Sequence, residues 1–336
     1  MIYKINFKEV LYKMNNHLLI AVDAGKSSCK SVSKIQGKLE RNQFRTKVQE
    51  VENLGIDIPP NNFKVEYQGK TYLVGEAVGE ERIRYDISKK SIEHLICIYL
   101  SIANFVEITG QTNISLAVGT PLNIYKNKVL KEEYQQYIQG NGIINIKVNG
   151  KLVFFRIDKV LCLPEGTGPI YTDIDKYRNS KTTIIDIGGL NVNYCVFNNL
   201  IPQFDQMIIN NYGANILRSK ISEKLSSEYG VYISDSDIDR IIKDGYLYIN
   251  GQIQVKSKDL LLNIMKSHIE DIINYGKSRG LTLFNANGAV VFSGGGSILL
   301  KHIIKDLYPS AIIIDDAQFA NVLSFLTILE VKCEKA

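Results

Sequence analysis

Two short stretches end an apolar run on an aspartate followed by a glycine turn. In the first, LLIAV leads into Asp23-Ala24-Gly25-Lys26-Ser27-Ser28-Cys29-Lys30, and in the second TTII leads into Asp186-Ile187-Gly188-Gly189-Leu190-Asn191. A carboxylate at the end of a buried strand is costly unless something pairs with it. For either stretch alone, an Asp that bonds its own turn backbone is a sufficient explanation. Recurrence gives the two acids a joint use. Asp23 and Asp186 would hold Mg2+ through its waters, while the turn amides at Gly25, Gly188 and Gly189, with the Ser27 and Ser28 hydroxyls, would take the oxygens of a polyphosphate. Lys30, on the strand after the first turn, either reaches the β- or γ-phosphate or is a solvated edge lysine. Lys26, at the turn tip, is expected to face solvent. Gly25-Lys26-Ser27 resembles the end of a P-loop, but the glycine needed five residues earlier is Ile20, inside the strand. SSCKSVSKI then alternates as a strand does, which removes that reading.

Two further stretches sit where they would join such a site. Glu165, in LPEGTGP, follows an apolar strand, at the carboxyl end where open α/β sheets keep their ligands. It would orient or deprotonate an attacking water; otherwise it is an exposed turn glutamate. Gly294-Gly295-Gly296 follows the apolar GAVVFS. The run either caps the next helix and nothing more, or lets backbone approach a nucleoside or an α-phosphate.

The elements that must position these residues read as two similar halves. Hairpins are expected at FKVEYQGKTYLVGEAV, at IINIKVNGKLVFFRI about Asn149-Gly150, and at YLYINGQIQV. Helical spacing marks 88–109 with Ser88 as N-cap, IYKNKVLKEEYQQYIQ closed by Gly140, GANILRSKISEKLSSEY, DSDIDRIIKDG, KDLLLNIMKSHIEDIINYGKS and AQFANVLSFLTILE. ISLAVGTPL and AIIID read as strands. The strand–DxG–strand pattern restarts at residue 181, as expected of duplicated domains facing each other across a cleft.

Composition bounds the function. The chain has 336 residues, 45% hydrophobic and 22% charged, with 40 basic against 35 acidic residues and a net charge of +5. That size accommodates two domains. The charge is small for the length and no basic run concentrates it, so direct nucleic-acid binding is not expected. Five scattered cysteines with no CxxC suit reduced thiols in a cytoplasm. Four histidines form no HExxH or HxH, which argues against transition-metal chemistry. No apolar stretch approaches the ~20 residues of a membrane span. Residues 1–16 lack the features of a signal peptide and are expected to be an extra strand or a short amphipathic segment, with Met14 offering a second start.

Taken in order, these segments resemble the ATPase superfamily of actin, heat-shock chaperones and sugar kinases. DAGKSSCK is similar to its first phosphate motif, TTIIDIGGLNVNYCV to its second, and VVFSGGGSILL to its adenosine motif. LAVGTPLNIY, VEYQGKTYLVGEA, LPEGTGP and DDAQFANVLSF resemble segments of bacterial plasmid-segregation actins of the ParM/Alp type, the last similar to a P-x-F-A-N-x-x-G ending. The resemblance runs from His17 to Leu329 and implies an α/β, actin-like (ribonuclease H-like, duplicated) ATPase fold with four subdomains around a nucleotide cleft. Its parts would be 17–34 with 87–180, the insertion 35–86, 181–212 with 280–316, the insertion 213–279, a C-terminal helix 317–332, and the extension 1–16. It implies ATP (with GTP as an alternative) and Mg2+ as ligands, with Asp23, Lys30, Glu165, Asp186 and the glycine turns in nucleotide roles and Glu165 acting on the attacking water. Leu190 and Asn191 stand where related proteins often have two threonines, so backbone and amide contacts, Asn191 included, would replace hydroxyls. Ala317 replaces the usual proline, and Leu323-Ser324 the usual glycine region.

The function implied is a cytoplasmic, polymerising ATPase that segregates plasmid DNA. Its partners would be further copies of itself and a DNA-binding adaptor of the ParR type at a centromere-like site, with no direct DNA contact and no membrane. The alternatives within the superfamily are a cell-shape or division actin and a small-molecule kinase.

Overall fold

The computed structural model describes residues 17–52, 58–79, 89–284 and 288–334. The expectations for residues 1–16 and for Ser88 as a cap lie outside the described residues. By its internal contacts the chain divides into two compact units, Met1–Pro164 with Val322–Ala336, and Glu165–Asn321.

In the first unit β1 (Leu18–Ala24), β2 (Ser28–Ile35), β3 (Lys38–Arg45), β4 (Val48–Val51), β5 (Asn62–Tyr67), β6 (Lys70–Gly75), β7 (Asn113–Thr120), β8 (Ile143–Val148) and β9 (Lys151–Pro164) form one sheet. Its order is β3-β2-β1-β7-β9-β8-β5-β6-β4. Ile20, Ala21 and Val22 are all wholly buried, as an unbroken apolar run must be when both faces of its strand are covered. Residues 35–86 supply β3 to β6, all four in this sheet, and β3 pairs with β2 along its whole length. The β8–β9 turn places Asn149 and Gly150 at φ 48° and 87°, the left-handed pair that an Asn-Gly hairpin provides.

Helix α1 (Ile92–Thr109) starts at Ser91, whose hydroxyl accepts from the His94 amide, and ends at a left-handed Gly110. Among the described residues it alone has the length and apolar character to cross a membrane. Its apolar side chains, including Ile96, Leu100 and Phe105, lie in the core of the first unit. The single helix expected at 124–139 is two: α2 (Leu122–Lys126) and α3 (Lys128–Gln139). Asn127 between them is extended, and its side chain accepts from Leu130 N at 3.1 Å. A cap in mid-pattern stops one helix and starts the next.

In the second unit α4 (Gly168–Thr172) and α5 (Ile174–Tyr177) precede β10 (Lys181–Ile187), β11 (Val192–Asn198), β12 (Ile201–Pro202) and β13 (Ile208–Asn210). Then come α6 (Ala214–Tyr229), α7 (Asp235–Asp244), the ribbon β14 (Leu247–Ile249) and β15 (Gln252–Gln254), and α8 (Lys256–Ser278). β16 (Gly288–Ser293), α9 (Gly295–Leu299), α10 (Lys301–Leu307) and β17 (Ile312–Ile313) complete it. Helix α11 (Ala320–Glu334) starts three residues later than expected, because Phe319 N closes a turn onto Asp316 O at 2.9 Å. From Val322 onward it belongs to the first unit.

The second sheet runs β12-β11-β10-β16-β17. This repeats β3-β2-β1-β7-β9 of the first, down to the strand directions: two antiparallel pairings, then two parallel. An α/β duplication is visible in that shared order.

Candidate functional site

In each sheet the first strand of the duplicated motif ends in an aspartate. Asp23 closes β1 opposite Lys30 of β2. Both side chains are half-buried and on the same face of the hairpin, yet they form no ion pair, and no described residue donates a hydrogen bond to the Asp23 carboxylate. The turn at Gly25-Lys26-Ser27 is held from behind. Lys89 Nζ, itself buried, donates to Ala24 O at 2.8 Å. Thr46 Oγ1 donates to Lys26 O at 2.7 Å, and Arg45 donates to Ser27 Oγ at 3.2 Å. A Cβ on Gly25 would stand 3.1 Å from Ser28 O. Ser28 is buried at the start of β2. The structure thus brings Asp23, Gly25, Ser27, Ser28 and Lys30 onto one braced turn. Cys29, inside the same motif, is sealed off. Burial pushes its thiol up to about 12, so it offers no thiolate chemistry.

The second turn is built differently. Asp186 is buried, and Asn321 Nδ2 donates to its Oδ2 at 3.1 Å. Gly188 N donates to Asn191 O at 2.9 Å, which closes the turn. The first amides of α6 then brace it, with Gly213, Ala214 and Asn215 donating to the carbonyls of Leu190, Gly188 and Gly189. The amides of Gly189, Leu190 and Asn191 donate to no other described residue. Successive unspent amides of this kind form an anion-binding concavity. Asn191 Oδ1 is shielded from solvent and accepts no hydrogen bond from a described residue.

Glu165 and the triple glycine come to this same turn. Gly166, at φ 82°, lies so close to it that a Cβ there would stand 2.9 Å from Asn193 Cβ and 3.5 Å from Asp186 Cβ. Cys195 Sγ meets Glu165 O at 3.6 Å. Glu165 is therefore held beside the second Asp turn with its side chain half-buried. Gly294 and Gly296 pack on the end of β10, where a Cβ would fall 2.4 Å from Asp186 Oδ1 and 2.3 Å from Ile187 Cγ2 respectively. Gly295 between them is exposed and meets nothing within 4 Å. Asp23, Glu165, Asp186 and Gly294 all lie at or just beyond the carboxyl end of a parallel-paired strand, the ligand end of such sheets.

One residue of the site was not singled out from sequence. Asn321, buried at the start of α11, accepts from the amides of Gly166 at 3.2 Å and Gly168 at 3.3 Å while donating to Asp186. In the sequence it stands only as the asparagine of the segment similar to the P-x-F-A-N-x-x-G ending, ahead of an apolar helical run.

No cluster of three or more His, Cys, Asp or Glu side chains that would grip a metal occurs among the described residues. Mg2+ keeps most of its waters and is bound through one or two carboxylates plus substrate phosphates. Within the second unit, the carboxylate of Asp186, the shielded acceptor of Asn191 and the unspent turn amides are a donor set of that kind, and within the first Asp23 stands beside its own glycine turn, so the residues of each turn fit a share in holding Mg2+ with a polyphosphate.

Residues 21–168 match the family described as "Actin like proteins N terminal domain". No curated protein matches the chain. Among solved structures, the chain is similar to an Alp12 filament structure at 26% identity and a TM-score of 0.70, covering 95% of this chain and 99% of that one. A 15-stranded ParM filament from Clostridium botulinum aligns at 18% identity and a TM-score of 0.74, over 94% of this chain and 99% of the other. An archaeal actin homologue solved in complex with ADP aligns at 18% identity and a TM-score of 0.71, with the same two coverages.

Proposed function

We propose that the chain is an actin-like protein of the ParM/Alp type, a nucleotide-dependent polymerising ATPase that segregates plasmid DNA, a reading supported by the family match over residues 21–168 and by the filament structures it is similar to. One observation carries this reading: the same five-strand order occurs in both units, and in each its first strand ends in an Asp followed by a braced glycine turn. ATP, with GTP as an alternative, would be held by the Gly25, Ser27 and Ser28 turn, by Lys30, by the Gly188, Gly189 and Asn191 turn, and by Gly295 beside its packed neighbours Gly294 and Gly296.

Mg2+ when bound supplies charge neutralisation on the phosphate oxygens. The chain's own residues do the rest. Asp23 and Asp186 would hold the ion through its waters, and Lys30 and the turn amides would draw negative charge toward the leaving side. Glu165 accepts a proton from, or aligns, the attacking water. ATP binding would favour assembly and hydrolysis would weaken the lattice. The named relatives that are filaments support self-assembly. A separate ParR-type adaptor at a centromere-like site would make the DNA contact, in keeping with a net charge of only +5. This activity belongs in the cytoplasm. Within the fold, the four-part division into 17–34 with 87–180, 35–86, 181–212 with 280–316, and 213–279 stays part of the proposal.

The test is sedimentation. Purified protein with Mg-ATP is expected to pellet above a critical concentration and to stay in the supernatant without nucleotide. A monomer under every nucleotide and salt condition removes the filament claim, and failure to bind ATP removes the nucleotide claim as well.

A further inference from the structure

A carboxamide has one acceptor end and one donor end, and Asn321 has both engaged from opposite sides. Its Oδ1 accepts from Gly166 N and Gly168 N, and its Nδ2 donates to Asp186 Oδ2. The amide cannot be turned over, since that would set its NH2 against two N–H donors and its oxygen against a carboxylate. Backbone shape enforces the same arrangement. A Cβ on Gly168 would stand 2.4 Å from Ala320 O and 2.7 Å from Asn321 N, so the segment after Glu165 is docked directly on the start of α11. Gly166 is docked in turn on Asn193 and Asp186. With Oδ2 bonded to Asn321, Asp186 Oδ1 lies toward Gly294, whose missing side chain leaves it room.

We propose that Asn321 is a positioning residue for the phosphate chemistry: through one carboxamide it fixes the rotamer of Asp186 and the backbone that carries Glu165, so the metal-orienting acid and the water-orienting acid are set by a single group. The proposal rests on the nucleotide reading above. Asn321 is assigned a part in the chemistry only through the groups it bonds, Gly166, Gly168 and Asp186. It acts by holding the two acids in register, where small misplacements are costly in rate.

Two variants separate the halves of this role. Asn321→Asp keeps the acceptor for Gly166 and Gly168 but sets a second carboxylate against Asp186. Such a pair shares one proton, and the shared-proton form restores a donor to Asp186. Phosphate release at saturating Mg-ATP should fall by about tenfold or more near pH 8, while nucleotide affinity stays within about threefold. The rate should then recover as pH is lowered toward about 6, the reverse of any loss in the wild type. Asn321→Ala should lose rate with no such recovery. Wild-type turnover in either variant, or a loss in Asn321→Asp that acid does not relieve, overturns the proposal. If neither variant folds, amide exchange in the wild type decides. Gly166 and Gly168 should exchange about a hundredfold or more slower than unstructured peptide, and exchange at the peptide rate overturns the bridge. A wild type that binds no nucleotide sinks the parent reading, whereas the exchange result still reports on the bridge itself.

Discussion

Of the three adjacent glycines after β16, two are required by packing and one is not, and substitution should separate them. Gly294 has φ 83° and ψ 165°, a backbone region essentially closed to residues with a Cβ and costing about 1–3 kcal/mol. A Cβ there would also fall 2.4 Å from Asp186 Oδ1 and 2.5 Å from Ile187 O. Neither neighbour can yield cheaply, since one is backbone and the other belongs to an acid held by Asn321. Forcing extra volume into such a site costs about another 1–3 kcal/mol. Gly294→Ala should therefore lose roughly 2–6 kcal/mol of stability, the sum of the two terms. Gly295→Ala meets nothing within 4 Å and replaces glycine by a better helix former in α9, so it should be neutral or gain up to about 1 kcal/mol. Because the chain has no tryptophan, far-UV circular dichroism in urea without nucleotide is the assay. At a slope of about 3 kcal/mol per molar urea, the Gly294→Ala midpoint should fall by about 0.7–2 M while that of Gly295→Ala holds. Affinity for Mg-ATP should drop in Gly295→Ala all the same, because the exposed glycine is the one proposed to lie against nucleotide. A Gly294→Ala midpoint within about 0.2 M of wild type would refute the packing argument.

Glu165→Gln should bind Mg-ATP and assemble while releasing phosphate at least about a hundredfold more slowly, the scale of a lost general base; unchanged release would assign the water to another group. Asp186→Ala removes the acceptor of a buried donor and should cost about 1–3 kcal/mol in urea, while Asp23→Ala, to which no described residue donates, should stay within about 0.5 kcal/mol. Equal losses would contradict the difference in how the two acids are held. Burial, with a smaller push from Lys220 that Asp271 partly offsets, lowers His268 to about 4. Because the unfolded state takes up its proton first, stability should be flat above about pH 6.5 and fall by up to about 3 kcal/mol toward pH 4, a loss that His268→Gln should lessen. Burial also pushes the Cys29 thiol up to about 12 and Cys162 up to about 11, so maleimide at pH 8 should label Cys333 and leave those two unmodified in the native protein.

What could be read from the sequence depended on how local its cause was. The hairpins about Asn149-Gly150 and Asn250-Gly251 announce themselves, because a left-handed pair of turn residues sits between alternating strands. Strand β3 did not, since KLERNQFR is almost wholly polar. It is held by backbone pairing to β2 at the sheet edge, and an edge strand needs no apolar face to do this. The break at Asn127 was hidden because the amphipathic pattern continues through it, and only the side-chain cap interrupts the helix. At the site, Asp23, Glu165, Asp186 and the glycines were legible because each sits at a strand end with a turn signal beside it. Asn321 had no such neighbour. Its partner Asp186 is 135 residues away, and a buried amide becomes informative only once its burial is known.

The duplication relates the two acids without making them equivalent. Both sheets present an Asp at the end of the same strand of the same five-strand order, so topology alone would make Asp23 and Asp186 interchangeable. Their surroundings do not. Asp186 is buried, bonded through Asn321, and flanked by Gly166 and Gly294, neither of which can carry a side chain there. Asp23 is half-buried on a turn whose bracing reaches the backbone and Ser27 rather than the carboxylate. A carboxylate fixed by its neighbours loses little freedom when it engages a hydrated cation, whereas an unheld one must be ordered by the ligand itself. On the proposed reading, chemistry that depends on geometry therefore falls to the second unit, where Glu165 is also anchored. In the first unit's turn, with Lys30 and its serines, the acid is left to be ordered by whatever ligand it takes.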